Sequence, residues 1–100
     1  MMKSQQLVRL LVDGLGTPFS KQLNELLRAI GDITSLDDPE EGERAIDALL
    51  FNGVLGALQN NLENEYVNED NKRLAAYVVA NIVAGSPHQQ RAVLDHAGLW

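Results

Sequence analysis

The sequence predicts an all-α fold, and three observations support this class. Apolar residues recur at intervals of three and four, the spacing of one helix face, rather than in the alternation of a strand. All 3 prolines directly follow Thr, Asp or Ser, residues that cap helix starts. Two segments of similar sequence also lie 49 residues apart, a separation typical of stacked helical repeats.

Composition restricts the class of protein. The 100 residues are 45% hydrophobic, enough for the core of one small domain, and no apolar run approaches the ~20 residues of a membrane span. The net charge of −6 argues against nucleic acid as a partner and favours a basic partner, although negative charge also maintains solubility. The chain has no cysteine, which excludes disulfides and thiolate chemistry.

The first two predicted helices lie on either side of a glycine-containing turn. Residues 3–13 form an amphipathic helix that Gly14 and Gly16 end. Its helically spaced leucines are Leu7, Leu10 and Leu11. Thr17-Pro18 has the pattern of an N-cap followed by proline at the first helical position, so the second helix should run from there to about Thr34. Its apolar stripe is Leu23, Leu26, Leu27, Ile30 and Ile33.

Two shorter helices follow. Asp38-Pro39 repeats the cap-and-proline pattern, with Glu41 at the capping-box position, and predicts a helix over 39–51. Its inward residues are Ala45, Ile46, Leu49 and Leu50. Asn52-Gly53 suits a left-handed turn, after which 54–62 forms another helix. That helix turns Leu55, Leu58 and Leu62 inward.

The last third of the chain predicts a long and a short helix. A polar, acidic loop with a cap at Asn68 precedes an apolar helix over 69–84, which Gly85 stops. Ser86-Pro87, with Gln89 at the capping-box position, starts a final helix that ends at Gly98. This helix carries Ala92, Val93 and Leu94.

An internal repeat organises these helices. R-A-I-G-D-I at 28–33 aligns with Y-V-V-A-N-I at 77–82, and Gly53 aligns with Gly98. The glycines are 45 residues apart, and a period of about 40–47 residues with two or three helices per unit indicates a HEAT or armadillo array. In this frame 3–35 is the end of one repeat, 37–85 is a full repeat and 86–100 is the start of a third.

Two motifs resemble armadillo repeats, and those of the importin-α family of nuclear-import adaptors most of all. They are L-L-R-A-I-G-D-I-T before an acidic loop, and N-I-V-A-G-S-P-H-Q-Q-R-A-V-L-D-H-A-G. The resemblance extends from about Leu7 onward. It implies an armadillo-type right-handed α-solenoid fragment of about two repeats that acts in the cytoplasm and nucleus.

The resemblance also implies a site. In importin-α-like repeats the third helix presents an aromatic residue and, one turn later, an Asn that clamps the backbone of an extended peptide, while the aromatics hold the stems of Lys or Arg. Here Tyr77 and Asn81 take these positions, and Arg28 and Asp32 take them in the preceding unit. An amide both donates and accepts, and a cation over an aromatic face gains about 0.5–2 kcal/mol. Asp32 can only accept, so one aromatic–amide pair is intact.

Simpler roles remain open for all four residues. Arg28 and Asp32 can form an ordinary pair within one helix. Asn81 can tie two helices together by bonding a loop carbonyl. Tyr77 can belong to the core with its hydroxyl at the rim.

The sequence gives little indication of a metal site or of catalysis. The acidic residues of 37–43 do not have the spacing of an EF-hand loop, and negative charge is favourable at a helix start, so no metal is expected. His88 and His96 are expected to be surface residues. The sequence shows no Ser-His-Asp arrangement, phosphate loop or nucleotide motif, so we expect neither an enzyme nor a cofactor.

Three functions therefore stand as expectations. The first is a module that binds an extended basic peptide or protein cargo along its third helices. The second is a scaffold or self-assembling solenoid unit, because fewer than three repeats leave apolar end faces uncovered and favour self-association. The third is an armadillo protein of another class, such as a chaperone cofactor or an adhesion scaffold.

Overall fold

The computed structural model describes residues 2–96, with side chains from residue 6 onward. This part of the chain consists of helices without strands, which confirms the all-α class. The helices are α1 (Met2–Gly14), α2 (Ser20–Thr34), α3 (Pro39–Phe51), α4 (Val54–Glu63), α5 (Glu69–Val83) and α6 (Pro87–Asp95). Within the described range no helix is both long and apolar enough to cross a membrane. The predicted stop at Gly98 lies outside the described residues.

Side-chain caps fix three of the helix starts where the sequence predicts them. Asp38 Oδ1 accepts a 2.9 Å bond from the Glu40 amide, and α3 begins at Pro39. Asn68 Oδ1 accepts a 2.9 Å bond from the amide of Asn71 at the start of α5. At the start of α6 the Ser86 amide donates to Gln89 Oε1 at 3.1 Å, as a capping box requires.

The predicted start of α2 at Thr17-Pro18 is wrong. The helix begins at Ser20, and extended Phe19 precedes it as N-cap. Thr17 Oγ1 accepts a 3.3 Å bond from the Phe19 amide and donates a 2.9 Å bond to Gln22 Oε1. The hydroxyl therefore orders the turn before the helix, and the helix starts two residues later.

The core lies between all six helices, with α2 and α5 packed along each other at its centre. Its buried apolar residues are Val12, Leu15, Leu23, Leu27, Ile30, Ile46, Leu49, Val54, Leu55, Leu58, Ala75, Val78, Ile82 and Val93. Leu7 and Leu10 of the predicted first stripe are 59% and 67% exposed. Helix α1 turns Val8, Leu11 and Val12 toward the other helices instead, so the two leucines face away from them.

Helices α2 and α5 match in length and in their spacing along the chain. Helices α2 and α5 both have 15 residues, and their first and last residues are each 49 positions apart. The corresponding helices also contact one another, since α1 packs on α4, α2 on α5 and α3 on α6. Each of the first three helices therefore contacts the helix that comes three places later in the chain.

Candidate functional site

Three of the four predicted site residues meet in one depression between α2 and α5. Arg28 and Asp32 from α2 and Tyr77 from α5 line a space of about 220 Å³. Leu27, Gly31 and Leu74 form the rest of its wall, and we call this depression the α2–α5 groove. Tyr77 is 51% exposed, and Arg28 and Asp32 are exposed. The groove therefore offers an aromatic ring, a carboxylate and a guanidinium to solvent.

A glycine brings the Tyr77 ring close to α2. A Cβ at position 31 would lie 3.3 Å from Tyr77 Cε2, closer than an ordinary contact. Gly31 is itself buried. The lack of a side chain there lets the edge of the ring lie against α2, while about half of the tyrosine remains exposed.

Asn81 lies one turn beyond Tyr77, at the edge of a second depression. This space of about 520 Å³ includes Thr34, Asp37 and Glu43 in its lining. Asn81 is half-buried, and its Nδ2 donates a 3.0 Å bond to Thr34 Oγ1, which ties α5 to α2. Its Oδ1 accepts no hydrogen bond from the described residues. The amide thus supports the helix packing with its donor and leaves its acceptor available.

Arg28 and Asp32 form no ion pair within the described chain. Instead Arg28 Nε donates a 2.8 Å bond to Asn24 Oδ1 on the preceding turn. Asn24 Nδ2 in turn donates to Asn71 Oδ1 at 3.0 Å, and Asn71 Nδ2 donates to the Ser20 carbonyl at 3.0 Å. This amide network joins the first turns of α2 and α5 and orients the guanidinium.

The network was not predicted from the sequence. Asn71 is 1% exposed, yet it stands in a polar stretch that the sequence analysis treated as loop and helix start. Its position at the third residue of α5, one turn before the apolar run begins, was the available signal. An amide there can bond a neighbouring helix as well as its own cap.

A second polar cluster joins α6 to α3 and brings a serine, a histidine and an aspartate together, which no motif in the sequence predicts. His88 Nε2 lies 2.8 Å from Asp47 Oδ1, and His88 Nδ1 lies 3.0 Å from Ser86 Oγ. Gln89 Nε2 donates to the same Asp47 oxygen at 2.9 Å and to the Glu43 carbonyl at 3.0 Å. Asp47 is 41 positions from His88 in the sequence, so only the packing of the two helices reveals this series.

Burial and hydrogen bonding act in opposite directions on Asp47. Partial burial raises the pKa of its carboxyl, but the hydrogen bonds from Gln89 and His88, with the charge of His88, together lower that pKa below its ordinary value. The cluster therefore favours the carboxylate, and we interpret it as a clamp that holds α6 on α3. His96, predicted to be a surface residue, is half-buried, with Nε2 2.9 Å from Gln59 Oε1.

Comparison with known proteins does not assign the chain to a family. No protein-family model matches the chain, and no curated protein sequence is significantly similar to it. The armadillo resemblance therefore rests on the sequence motifs alone.

Proposed function

We propose that the chain is an armadillo-type module that binds an extended, basic peptide along the α2–α5 groove, as importin-α-like adaptors of the cytoplasm and nucleus do. The observation that carries this proposal is the half-exposed Tyr77 ring in one depression with the Asp32 carboxylate. The aliphatic stem of Lys or Arg can lie on the ring while Asp32 holds the charged head.

The helix arrangement supports a repeat protein. Helices three places apart in the chain contact one another, and α2 and α5 share their length, as expected of stacked three-helix repeats. The right-handed solenoid is part of the proposal, with α2 and α5 as third helices of successive repeats.

Asn81 would contribute to peptide binding from the adjacent depression, which it lines. One N–H of its Nδ2 is bonded to Thr34, so we expect the amide to hold the peptide chiefly through Oδ1, which can accept from a backbone N–H. Asp37 and Glu43, which line the depression beside Asn81, add negative charge along the path of the peptide.

Arg28 works against a basic ligand. Its guanidinium lies in the same depression as Tyr77 and Asp32 and repels a second cation. We therefore expect modest affinity in the native chain and tighter binding in Arg28→Gln.

A fluorescence anisotropy titration with a labelled, Lys- and Arg-rich peptide tests the proposal. Tyr77→Ala should weaken binding about two- to five-fold, since an exposed cation–aromatic contact contributes about 0.5–1 kcal/mol. Tyr66→Ala is the matched control, because Tyr66 is 86% exposed and does not line the groove. Equal affinity of the two variants contradicts the proposal.

A second candidate function is a self-assembling scaffold. Leu7 and Leu10 on α1 and Leu94 on α6 are all more than half exposed. Stacking of one copy on another would cover such side chains. A monomer mass in light scattering across a wide concentration range would contradict this candidate.

A further inference from the structure

A groove runs along α4, on a side of the molecule that the proposed peptide site does not use. It encloses about 760 Å³ between α4 and the end of α1, and we call it the α4 groove. None of its lining residues also lines the α2–α5 groove. Val12 and Leu15 belong to its wall on the α1 side.

One face of α4 forms the other wall. Gly53, Gly56, Ala57, Asn60, Asn61 and Asn64 line the groove, and their spacing of three and four places them in one stripe along the helix. A Cβ at either glycine would meet no atom within 4 Å. One end of the stripe thus leaves open space beside the α4 backbone, and the other end presents three carboxamides.

Asn61 points to a missing partner. Its side chain is 4% exposed, and its Nδ2 is buried without a hydrogen-bond acceptor among the described residues. Buried amides normally have partners, as Asn71 has in this same molecule. Asn61 also lines the α4 groove, so a rotation of its carboxamide would bring this N–H to a carbonyl oxygen of a ligand bound there.

The charged side chains that line the groove indicate the charge of the ligand. Asp13 and Glu63 line the groove, and no lysine or arginine of the described chain does so. Asp13 has only a 3.9 Å contact with exposed Arg9, and Glu63 accepts one bond from the neutral Gln59 amide. The groove therefore favours a ligand that carries both a carbonyl acceptor and a cation.

We infer that the α4 groove is a second binding site, which takes a short extended peptide segment with a basic side chain. Backbone carbonyls and N–H groups of the segment would pair with the carboxamides of Asn60, Asn61 and Asn64, and its cation with Asp13 or Glu63. A carbohydrate fits less well, since no aromatic side chain lines the groove to stack against a sugar ring.

Nuclear magnetic resonance of the full ¹⁵N-labelled chain tests this site directly. The probe is a positional library of capped pentapeptides, in which the central residue is fixed and the others are mixed. The Lys and Arg pools should shift the side-chain amide resonances of Asn61 saturably, and the Asp and Glu pools should not. No shift by any pool, equal shifts by acidic pools, or a shift by maltotriose alone overturns the inference.

Single-residue variants test whether the Asn61 resonance shift comes from binding in the α4 groove. Gly56→Leu fills the open end of the groove and should weaken binding of the Lys pool more than tenfold, whereas Ala76→Leu adds the same side chain at an exposed position of α5 and should not. Far-ultraviolet circular dichroism checks that both variants are folded. Tyr77→Ala should leave the Asn61 shift unchanged. Unchanged binding in Gly56→Leu overturns the inference and leaves the proposed function untouched. Loss of the Asn61 shift in Tyr77→Ala also overturns it, because Asn61 would then report binding in the α2–α5 groove, which the proposed function requires.

Discussion

Asn81 Nδ2 donates a 3.0 Å hydrogen bond to Thr34 Oγ1 across the contact between α5 and α2. The same hydroxyl donates to the Gly31 carbonyl at 3.0 Å, and Thr34 is buried. One N–H of the Asn81 amide is therefore used for packing. Its Oδ1, which accepts no hydrogen bond from the described residues, is the atom that we propose for contact with a peptide.

Thr34→Val separates these two uses of Asn81. Valine keeps the shape of threonine but removes the acceptor, so the free energy of unfolding should fall by about 0.5–1.5 kcal/mol. Peptide affinity should be unchanged or higher, because Oδ1 is untouched and Nδ2 becomes free to donate. Urea unfolding and the anisotropy titration measure the two quantities. If Thr34→Val weakens binding as much as Asn81→Ala, the bond itself shapes the groove and Asn81 is not the direct contact.

Asn71→Leu should destabilise the fold. The variant leaves the Ser20 carbonyl and the Asn24 amide without their partner at the contact of α2 with α5. A buried polar group that loses its partner costs about 1–3 kcal/mol. The free energy of unfolding should therefore fall by about this amount, and the urea midpoint should fall in proportion.

Asn61→Leu is the matched control and should act in the opposite direction. Asn61 is as buried as Asn71 but has an unpartnered Nδ2, and leucine has a similar size. Replacing an unsatisfied buried amide by an apolar side chain should leave stability unchanged or raise it by about 1 kcal/mol. Equal destabilisation by the two variants would mean that Asn61 has a packing role that its hydrogen bonds do not show.

The helix starts illustrate what the sequence can and cannot predict. Asp38 and Ser86 have Glu41 and Gln89 three residues later, and both starts are correct. Thr17 has the short Ser20 at that place, so no side chain reaches back, and the hydroxyl bonds Gln22 instead. The cap-and-proline pair alone is therefore a weaker signal than the pair with its capping-box partner.

The polar contacts between helices could not be predicted in the same way. Tyr77 and Asn81 were found because they stand out in an apolar helix. Their partners Gly31 and Thr34 come from α2, more than forty positions earlier in the chain. Periodicity identifies the buried face of each helix but not its rotation and height against a neighbour, and those decide which side chains meet.

The hydrogen-bonded Asp47 carboxylate should make the free energy of unfolding fall as the pH becomes acidic. Because the pKa of Asp47 is lower in the folded chain than its ordinary value, its carboxylate contributes stability above the unfolded pKa. That contribution is lost as the pH falls through the folded pKa. The stability difference between wild type and Asp47→Asn should therefore shrink between about pH 5 and about pH 3, as urea unfolding can measure. A difference that grows over this interval would mean that the clamp does not favour the ionised form.

Gly53 and Gly56 lie three residues apart at the start of α4 and should respond oppositely to alanine. Gly53 has a φ of 82°, in the left-handed region, where a Cβ costs roughly 1–2 kcal/mol. Gly56 lies inside the helix with open space around its Cβ position, so alanine there should stabilise the chain by about 0.5–1 kcal/mol. Thermal and urea unfolding of Gly53→Ala and Gly56→Ala provide the comparison. Because alanine is too small to fill the α4 groove, Gly56→Ala should also keep the binding that Gly56→Leu loses. A destabilised Gly56→Ala would mean that the space around the Cβ position of Gly56 is not open. That result would also contradict the inferred peptide site, because the open end of the α4 groove lies at this glycine.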